Sequence, residues 1–316
     1  METLSPSQFE LIEKINFLKR EKNALILVHN YLRSEIYEVA DFLGDSLGLC
    51  ERAAQSDASI IVFCAVHFMA ESAALLLPDT KVLLPNYDAG CALADMITPR
   101  QLREFKAAHP GAATVCYINS SAEVKAESDV ICTSSNAVDV VRALPHETIL
   151  FVPDKNLSNF VAKQVPEKRI IPWDGHCPIH HRITLEQVLR AKFEYPDAKI
   201  IAHPECPPEV LEVADEVAST TGMVKYARGS RHDEFIILTE CGLTQRMMIE
   251  MPRKKFVPVC NLCHDMKKTT LQSVYDALLH EQFHIQIPKE IATRARASFR
   301  RMFTLTEVCS TLPSLV

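Results

Sequence analysis

The chain has 316 residues, of which 47% are hydrophobic, and its 34 basic and 40 acidic side chains give a formal net charge of −6. It holds eight glycines, where the usual frequency of about 7% would give roughly 22. Neither G-x-G-x-x-G nor G-x-x-x-x-G-K-[ST] occurs, which excludes a dinucleotide fingerprint and a P-loop. The acidic balance, without a long basic block, argues against nucleic acid as a partner.

The apolar runs are short. The longest, Ile60–Val66, cannot cross a bilayer, and the first residues lack the basic and apolar regions of a signal peptide. We therefore expect a cytoplasmic protein without a membrane partner. Disulfides are rare in that reducing compartment, so the eleven cysteines are expected to be buried apolar residues, metal ligands or nucleophiles.

The first predicted element is a helix. Ser5 to Gln8 reads as a capping box with proline at the first helical position, ahead of apolar residues at helical spacing. Beyond it, short strand-like runs alternate with helical ones, which is typical of parallel β-α-β units. The predicted third strands of three such units are Ile60–Cys64, Ile149–Val152 and Phe235–Leu238.

The chain contains three copies of one unit. Three cysteines, Cys91, Cys177 and Cys263, lie 86 residues apart. Each follows an apolar run that ends in proline, and a threonine seven residues further on opens a helical pattern, as an N-cap residue does. These threonines are Thr98, Thr184 and Thr270. We refer to the three cysteines as the register cysteines.

Polar residues repeat in the same register. The first strand of each copy leads into a polar triplet: His29-Asn30-Tyr31, Tyr117-Ile118-Asn119 and His203-Pro204-Glu205. An aspartate then precedes a hydroxyl by five residues, in the pairs Asp41/Ser46, Asp129/Ser134 and Asp215/Thr220. The sequence therefore predicts three similar parallel-sheet α/β domains: 1–109 with the N-terminal helix, 110–195, and 196–316 with C-terminal helices.

Ligands of parallel sheets gather at the carboxyl ends of the strands. Three units about a pseudo-threefold axis would direct their triplets, hydroxyls and register cysteines toward one central cavity. Serine and threonine at helix N-termini suit carboxylate and phosphate groups. Three thiolates with one open position are typical of a catalytic metal site, and all-thiolate ligation favours a [4Fe–4S] cluster over zinc while leaving both open.

These residues and several adjoining motifs carry a resemblance to the quinolinate synthase family over roughly residues 24 to 280. Besides the triplets, the motifs are Gly44-Asp45-Ser46, Phe68-Met69-Ala70-Glu71, Leu84-Pro85 with Ala89-Gly90-Cys91, Thr133-Ser134-Ser135-Asn136-Ala137, Pro153-Asp154-Lys155-Asn156-Leu157, Trp173-Asp174-Gly175-His176-Cys177 and Cys263-His264-Asp265-Met266-Lys267.

The resemblance implies three α/β domains around a central [4Fe–4S] cluster with three cysteine ligands and one open iron. It implies a transferase or lyase reaction in de novo NAD biosynthesis. That reaction condenses iminoaspartate with dihydroxyacetone phosphate to quinolinate and releases phosphate and water. An aspartate oxidase or dehydrogenase is the implied source of iminoaspartate.

The resemblance also implies residue roles. The cluster ligands would be Cys91, Cys177 and Cys263. The residues that hold the carboxylates and phosphate would be His29, Ser46, Tyr117, Asn119, Ser134, His203 and Thr220, and Glu205 would also be a substrate-binding residue. Protons would be moved by Tyr31 and Glu205, with His203 assisting. Either His180 or the adjacent His181 would reach the substrate.

Two further questions stay open at this point. Cys260-x-x-Cys263-His264 matches a c-type haem signature, but haem is not expected, because no export signal is recognised and the register assigns Cys263 alone. Cys260 could form a disulfide with Cys263 on oxidation or compete with it as a ligand. Cys241 is expected to pack in the interior. The alternative functions are a zinc-dependent aldolase or hydrolase acting on a small phosphorylated substrate, and a non-catalytic iron–sulfur sensor.

Overall fold

A computed structural model describes residues 4–306 of the chain. The chain divides into two compact units, Met1–Cys91 with Cys263–Pro288 and Ala92–Leu262 with Lys289–Val316. Among the described residues, no helix has both the length and the apolar character that crossing a membrane requires. The predicted third domain extends to residue 316, and its part after residue 306 lies outside the described residues.

Three four-stranded sheets, all parallel, form the frame of the protein. In each, the order across the sheet is second, first, third and fourth strand along the chain. The strands are β1 (Ala24–His29), β2 (Phe42–Gly44), β3 (Ile60–Cys64) and β4 (Lys81–Leu83); β5 (Ala113–Tyr117), β6 (Val130–Cys132), β7 (Thr148–Val152) and β8 (Arg169–Pro172); and β9 (Lys199–Ala202), β10 (Glu216–Val217), β11 (Glu234–Leu238) and β12 (Lys255–Pro258). The predicted fold class of three parallel-sheet α/β repeats is confirmed, and the exact domain boundaries stay a prediction.

Helices connect the strands, as parallel pairing requires. They are α1 (Pro6–Glu21), α2 (Ser46–Ala54), α3 (His67–Leu76), α4 (Pro99–Ala107), α5 (Ala122–Ala126), α6 (Ala137–Ala143), α7 (Lys155–Gln164), α8 (Pro178–His181), α9 (Leu185–Glu194), α10 (Pro208–Leu211), α11 (Thr220–Gly229), α12 (Cys241–Glu250), α13 (Leu271–His280) and α14 (Lys289–Leu305). Short 3₁₀ segments are Ser34–Val39, Ala94–Met96 and Met266–Lys268.

The helix starts follow from local capping. Ser5, Thr98, Thr184 and Thr270 each accept a hydrogen bond from the third helical residue, whose side chain bonds back to the cap. Each capping box satisfies amide groups that have no partner within the helix. The three threonines confirm the helix starts predicted from the repeat.

The three aspartates of the register tie the first and second strands of each sheet together. Their carboxylates accept the backbone N–H of Ile26, Thr114 and Ile200 at 2.7, 2.7 and 2.9 Å. The partner residue lies 15 positions earlier in every copy. These carboxylates therefore hold the first strand rather than the loop that follows them, and the identical contacts support the triplication.

The interior strands are almost wholly apolar and buried. All residues of β3 and β5 are buried, as are all but the first residue of β7 and β11. Such near-continuous apolar runs are expected when helices cover both faces of a parallel sheet. In the second unit, α14 packs on α5 and β6, and its Phe299, Met302 and Phe303 are almost fully buried.

Candidate functional site

The polar triplets lie where the first strands of the sheets end, as the sequence predicts. His29 is the last residue of β1, Tyr117 is the last residue of β5, and His203 directly follows β9. All three side chains are buried. The first and third triplets have the same turn, because Nδ1 of His29 and of His203 accepts the backbone N–H two residues later at 3.3 Å in both.

Glu205 is the centre of a buried polar cluster in the second unit. One carboxylate oxygen, Oε2, lies 2.6 Å from Nδ1 of His180 and 3.8 Å from Nδ1 of His203. The other, Oε1, accepts a hydrogen bond from Nδ2 of Asn119 at 3.3 Å, and the Tyr117 hydroxyl also bonds the carboxylate. The fold thus brings four predicted site residues together and adds His180.

The charges in this cluster follow from its burial and contacts. Burial alone would raise the pKa of Glu205, but the facing His180, with its hydrogen bond, and then His203 and Tyr117 lower the pKa to about 2. Burial lowers the pKa of His203 to about 3, and His180 adds to that effect. At neutral pH, Glu205 is therefore a carboxylate and His203 a neutral imidazole.

The structure distinguishes the two adjacent histidines. His180 is 2% exposed and stacks on His203 with 4.5 Å between ring centroids. Its Nε2 lies 2.9 Å from the Thr239 hydroxyl, and its Nδ1 lies 3.3 Å from Sγ of Cys177. His181 instead contacts the Asn156 amide at 3.1 Å. Of the two histidines, His180 therefore belongs to the buried polar cluster around Glu205.

Two residues to which the sequence assigned no role support this cluster. Asn156 donates from Nδ2 to the Glu205 carbonyl oxygen at 2.9 Å. Asp154 is fully buried, accepts the Cys177 backbone N–H at 2.9 Å and caps α7 through the Leu157 N–H at 2.8 Å. Burial and then the Glu205 charge raise the pKa of Asp154 well above its usual value. The signal for Asp154 was its place at a strand end, 23 residues before a register cysteine.

Unpartnered polar atoms also lie near the strand ends. In the part of the chain that the structure describes, buried Oδ1 of Asn119 and Nδ2 of Asn136 have no hydrogen-bond partner. A buried amide atom without a partner is costly unless a ligand or water satisfies it. Asn119 was predicted to bind substrate, whereas Asn136 was known only as part of a motif.

The three predicted hydroxyls differ in position. Ser46 and Thr220 are the first residues of α2 and α11, where Asp45 and Ser219 cap the helices. Ser134 lies in a turn between β6 and α6, so it is not at a helix start as expected. The local reason is that Asn136 Oδ1 accepts the Thr133 backbone N–H at 2.7 Å, which closes this turn.

The register cysteines differ from the others in exposure. Cys91, Cys177 and Cys263 are outside any disulfide and half-buried, whereas every other cysteine among residues 4–306 that is not disulfide-bonded is buried. Cys91 and Cys263 belong to the first unit and Cys177 to the second. Burial raises the pKa of the thiols in the second group, among them Cys64, Cys116, Cys132 and Cys206. Among the described residues, the register cysteines are therefore the thiols outside a disulfide that solvent can reach.

The expectations for Cys260 and Cys241 need correction. Cys260 forms a disulfide with Cys241, 19 residues earlier, and Cys263 is not disulfide-bonded. Cys241 is therefore not simply a packed thiol. The first residue of α12 and the loop after β12 are brought together because the Cys241 backbone N–H bonds the Asn261 carbonyl at 3.3 Å.

In the first unit, the segment after Cys263 holds the loop that carries Tyr31. The Lys267 ammonium donates to the carbonyl oxygens of Tyr31 and Leu32, and the Lys267 carbonyl accepts from Nε of Arg33 at 2.8 Å. The Lys267 backbone N–H bonds the Cys263 carbonyl at 3.2 Å. The rings of His29 and Tyr31 are in edge-to-face contact, with centroids 4.7 Å apart.

The fold is an α/β architecture of repeated parallel sheets, and its second unit gathers a buried carboxylate, two imidazoles and a half-buried thiol, which are groups typical of an enzyme site. The family described as quinolinate synthetase A protein matches residues 13–304. Proteins named quinolinate synthase are similar over nearly their whole length. That of Thermodesulfovibrio yellowstonii is 51% identical over 93% of this chain and 98% of its own. Those of Methanosarcina barkeri (51% identical over 94% and 98%) and Alkaliphilus metalliredigens (48% over 95% and 99%) match similarly. The chain belongs to the quinolinate synthetase A family of enzymes.

Proposed function

We propose that this enzyme condenses iminoaspartate with dihydroxyacetone phosphate to quinolinate, with release of phosphate and water, in NAD biosynthesis in the cytoplasm. Identity of about half with relatives of that name supports the reaction. The observation that carries the proposal is the buried cluster of Glu205, His180, His203 and Asn119 at the end of β9. An aspartate oxidase or dehydrogenase would supply the iminoaspartate.

Cys91, Cys177 and Cys263 would hold a [4Fe–4S] cluster. Their donor set fits, since among the described residues they are the half-buried thiols outside a disulfide, and three thiolates leave one iron open. When bound, such a cluster supplies a Lewis acid for a substrate oxygen or nitrogen. This assignment requires the three repeats to pack about a pseudo-threefold axis with their strand ends facing inward, which is part of the proposal.

The substrate anions would be held by polar groups at the strand ends. The residues proposed for this role are His29, Ser46, Tyr117, Asn119, Ser134, His203, Glu205 and Thr220. Thr220 is buried at the N-terminus of the ten-residue helix α11, where backbone N–H groups and the helix dipole favour a phosphate or carboxylate. The unpartnered Oδ1 of Asn119 suits a substrate N–H or O–H donor.

Glu205 and Tyr31 would move the protons, with His203 assisting as a neutral hydrogen-bonding group. In the ligand-free site, the contacts of Glu205 with His180, Tyr117 and Asn119 stabilise its carboxylate. When substrate takes over some of these hydrogen bonds, burial then raises the pKa of Glu205. A carboxylate that becomes more basic as substrate binds can accept a proton during cyclisation and water loss.

The test is a quinolinate assay with anaerobically purified chain, dihydroxyacetone phosphate and iminoaspartate, alongside iron and sulfide quantification. Cluster-loaded wild type should form quinolinate, and replacing Cys91, Cys177 or Cys263 by Ala should abolish the cluster. A fully loaded chain that forms no quinolinate would contradict the proposed reaction. A zinc-free chain that takes up no iron and sulfide on anaerobic reconstitution would contradict the cluster.

A further inference from the structure

Three different metal-ligating atoms meet in the second unit. Sγ of Cys177, Nδ1 of His180 and a carboxylate oxygen of Glu205 all lie within 4.8 Å of one another. His180 and Glu205 are each 2% exposed, while Cys177 is half-buried. The three ligand atoms are therefore close enough to bind one ion, and Cys177 is the most exposed of the three residues.

Among the described residues, this donor set is found in one of the three repeats. The spacing Cys177-Pro178-Ile179-His180 places thiol and imidazole on one face of α8, since residues three apart are neighbours on a helix. Three residues after Cys91 and Cys263 the chain has Ala94 and Met266, which offer no comparable ligand. Cys91 and Cys263 are thus matched controls for Cys177.

The outer contacts are those of a metal site. The second nitrogen of His180, Nε2, lies 2.9 Å from the Thr239 hydroxyl. That hydroxyl can accept a hydrogen bond from Nε2–H, which leaves the lone pair of Nδ1 for the metal. Asn119 donates to the other oxygen of Glu205 at 3.3 Å, and Asp154 accepts the Cys177 N–H at 2.9 Å. All three donor residues therefore have a second contact that orients them.

We infer that the cluster-free chain binds one Zn²⁺ through Cys177 Sγ, His180 Nδ1 and the Glu205 carboxylate, with water in the fourth position. Thiolate, imidazole and carboxylate are the ligands that zinc takes. Thiolate and carboxylate together neutralise the two positive charges of the ion, which limits the cost of burying it. The ion occupies Cys177 and Glu205 at once and so excludes both a cluster and the proton transfers proposed for Glu205.

The distances require a small adjustment. Ligand atoms around a tetrahedral zinc lie about 3.5 Å apart, given metal–ligand bonds of about 2.0–2.3 Å. Sγ of Cys177 and Nδ1 of His180 are already 3.3 Å apart. Nδ1 and Oε2 of Glu205 are 2.6 Å apart, as in a hydrogen bond. The ion replaces the proton shared by these two atoms, and the carboxylate moves back by about 1 Å.

Co²⁺ titration of the cluster-free, full-length chain tests the site, because cobalt takes tetrahedral zinc sites and has visible spectra. We expect one Co²⁺ per chain, a thiolate-to-cobalt charge-transfer band and tetrahedral d–d bands, all bleached by Zn²⁺. C177S should lose the charge-transfer band, and H180Q should weaken binding. T239V should retain the spectrum with affinity lowered about 10–100-fold. Thermal unfolding of each ion-free variant checks its fold.

The control variants decide where the ion lies. C91S, C263S and the double variant C241S/C260S should bind Co²⁺ as wild type does. If C91S or C263S lost Co²⁺ binding to the same extent as C177S, the ion would lie on Cys91 or Cys263 as well, and the inference would be overturned. A spectrum without a thiolate band, or one unchanged in C177S, would do the same. T239V keeps the inference testable if C177S or H180Q fails to fold.

Competition with the cluster is a second, separate measurement that rests on the proposed function. Wild type preloaded with Zn²⁺ should take up less iron and sulfide than zinc-free chain, whereas H180Q should take up equal amounts with and without zinc. If zinc reduced the iron and sulfide uptake of wild type and H180Q equally, competition at this site would be overturned. The cobalt spectra do not depend on quinolinate formation, so failure of the proposed reaction and failure of the zinc site are distinguishable.

Discussion

Cys241 and Cys260 form their disulfide at the repeat position where Lys155 and Asp174 form an ion pair 2.8 Å long. Both links join the first residue of the helix after the third strand to a residue three before a register cysteine. In the first repeat the corresponding helix residue, His67, contacts the Tyr87 ring at 5.6 Å. Each repeat thus ties down the loop ahead of its register cysteine by different chemistry.

Removing the disulfide should lower stability without removing the cluster. The bond closes a loop of about 20 residues, for which chain entropy predicts about 3 kcal/mol. Denaturant unfolding of oxidised wild type and C241S/C260S measures the difference. Since Cys263 is not part of the disulfide, the variant should assemble the proposed cluster, whereas C263S should not. Cluster loss in C241S/C260S, or retention in C263S, would contradict this ligand assignment. K155M is the matched control, with a smaller effect because that ion pair faces solvent.

Asp154 should be needed to hold Cys177. D154N retains one acceptor oxygen, but its amide group cannot accept the N–H of both Leu157 and Cys177. We expect a loss of about 1–3 kcal/mol, the cost of leaving a buried donor unsatisfied, and lower iron content. Denaturation and iron assays measure both effects. D174N, on the exposed side of the same loop, is the control. Equal behaviour of the two variants would show that Asp154 does not position Cys177.

Lys267 should position Tyr31. K267M removes the ammonium that bonds the Tyr31 and Leu32 carbonyls but leaves the cysteine ligands in place. We expect kcat for quinolinate formation to fall by at least about tenfold, at an unchanged cluster content, with K267R restoring part of it. Steady-state kinetics with parallel iron assays would distinguish a fall in kcat caused by a misplaced Tyr31 from one caused by loss of the proposed cluster. K14M, on the exposed face of α1, should behave as wild type.

Glu205 should be required for turnover rather than for the cluster. E205Q keeps the shape of the side chain but removes the negative charge that accepts a proton. Loss of a general base costs about 10²–10⁴ in rate, so kcat should fall by that factor while iron content and substrate binding persist. The exposed neighbour Glu209 offers the control E209Q. Wild-type kcat in E205Q would exclude Glu205 as the proton acceptor.

His203 should make the cluster-free chain sensitive to acid. Burial lowers its pKa from 6.5 to about 3, so between these pH values the unfolded chain binds a proton that the folded chain does not. Stability from this residue is complete above pH 6.5 and falls as the pH drops toward 3. In H203Q, the free energy of unfolding should depend less on pH across this window. H284Q, at an exposed position, should show the same pH dependence as wild type. If the free energy of unfolding changed with pH equally in wild type, H203Q and H284Q, the lowered pKa of His203 would be contradicted.

Features carried by local pattern could be predicted from the sequence. The repeat of Cys91, Cys177 and Cys263 located the three sheets, because each repeat folds from the same alternation of apolar strands and capped helices. Thr98, Thr184 and Thr270 marked helix starts for the same local reason. Ser134 departs from the pattern because the nearby Asn136 side chain closes a turn there.

Contacts between distant side chains were decided by the tertiary structure alone. The sequence could not decide which of His180 and His181 belongs to the site. Successive residues of a helix point in different directions, and of the two it is His180 that faces Glu205. Cys263 is nearer to Cys260 along the chain, yet the fold of the third repeat brings Cys241 against it instead. Periodicity and capping are properties of neighbours in sequence, so the residues alone determined the repeats and their strands. The contacts of Glu205 with His180 and Asn119, of Cys177 with Asp154 and of Cys260 with Cys241 join segments that are distant in the sequence, and only folding could select them.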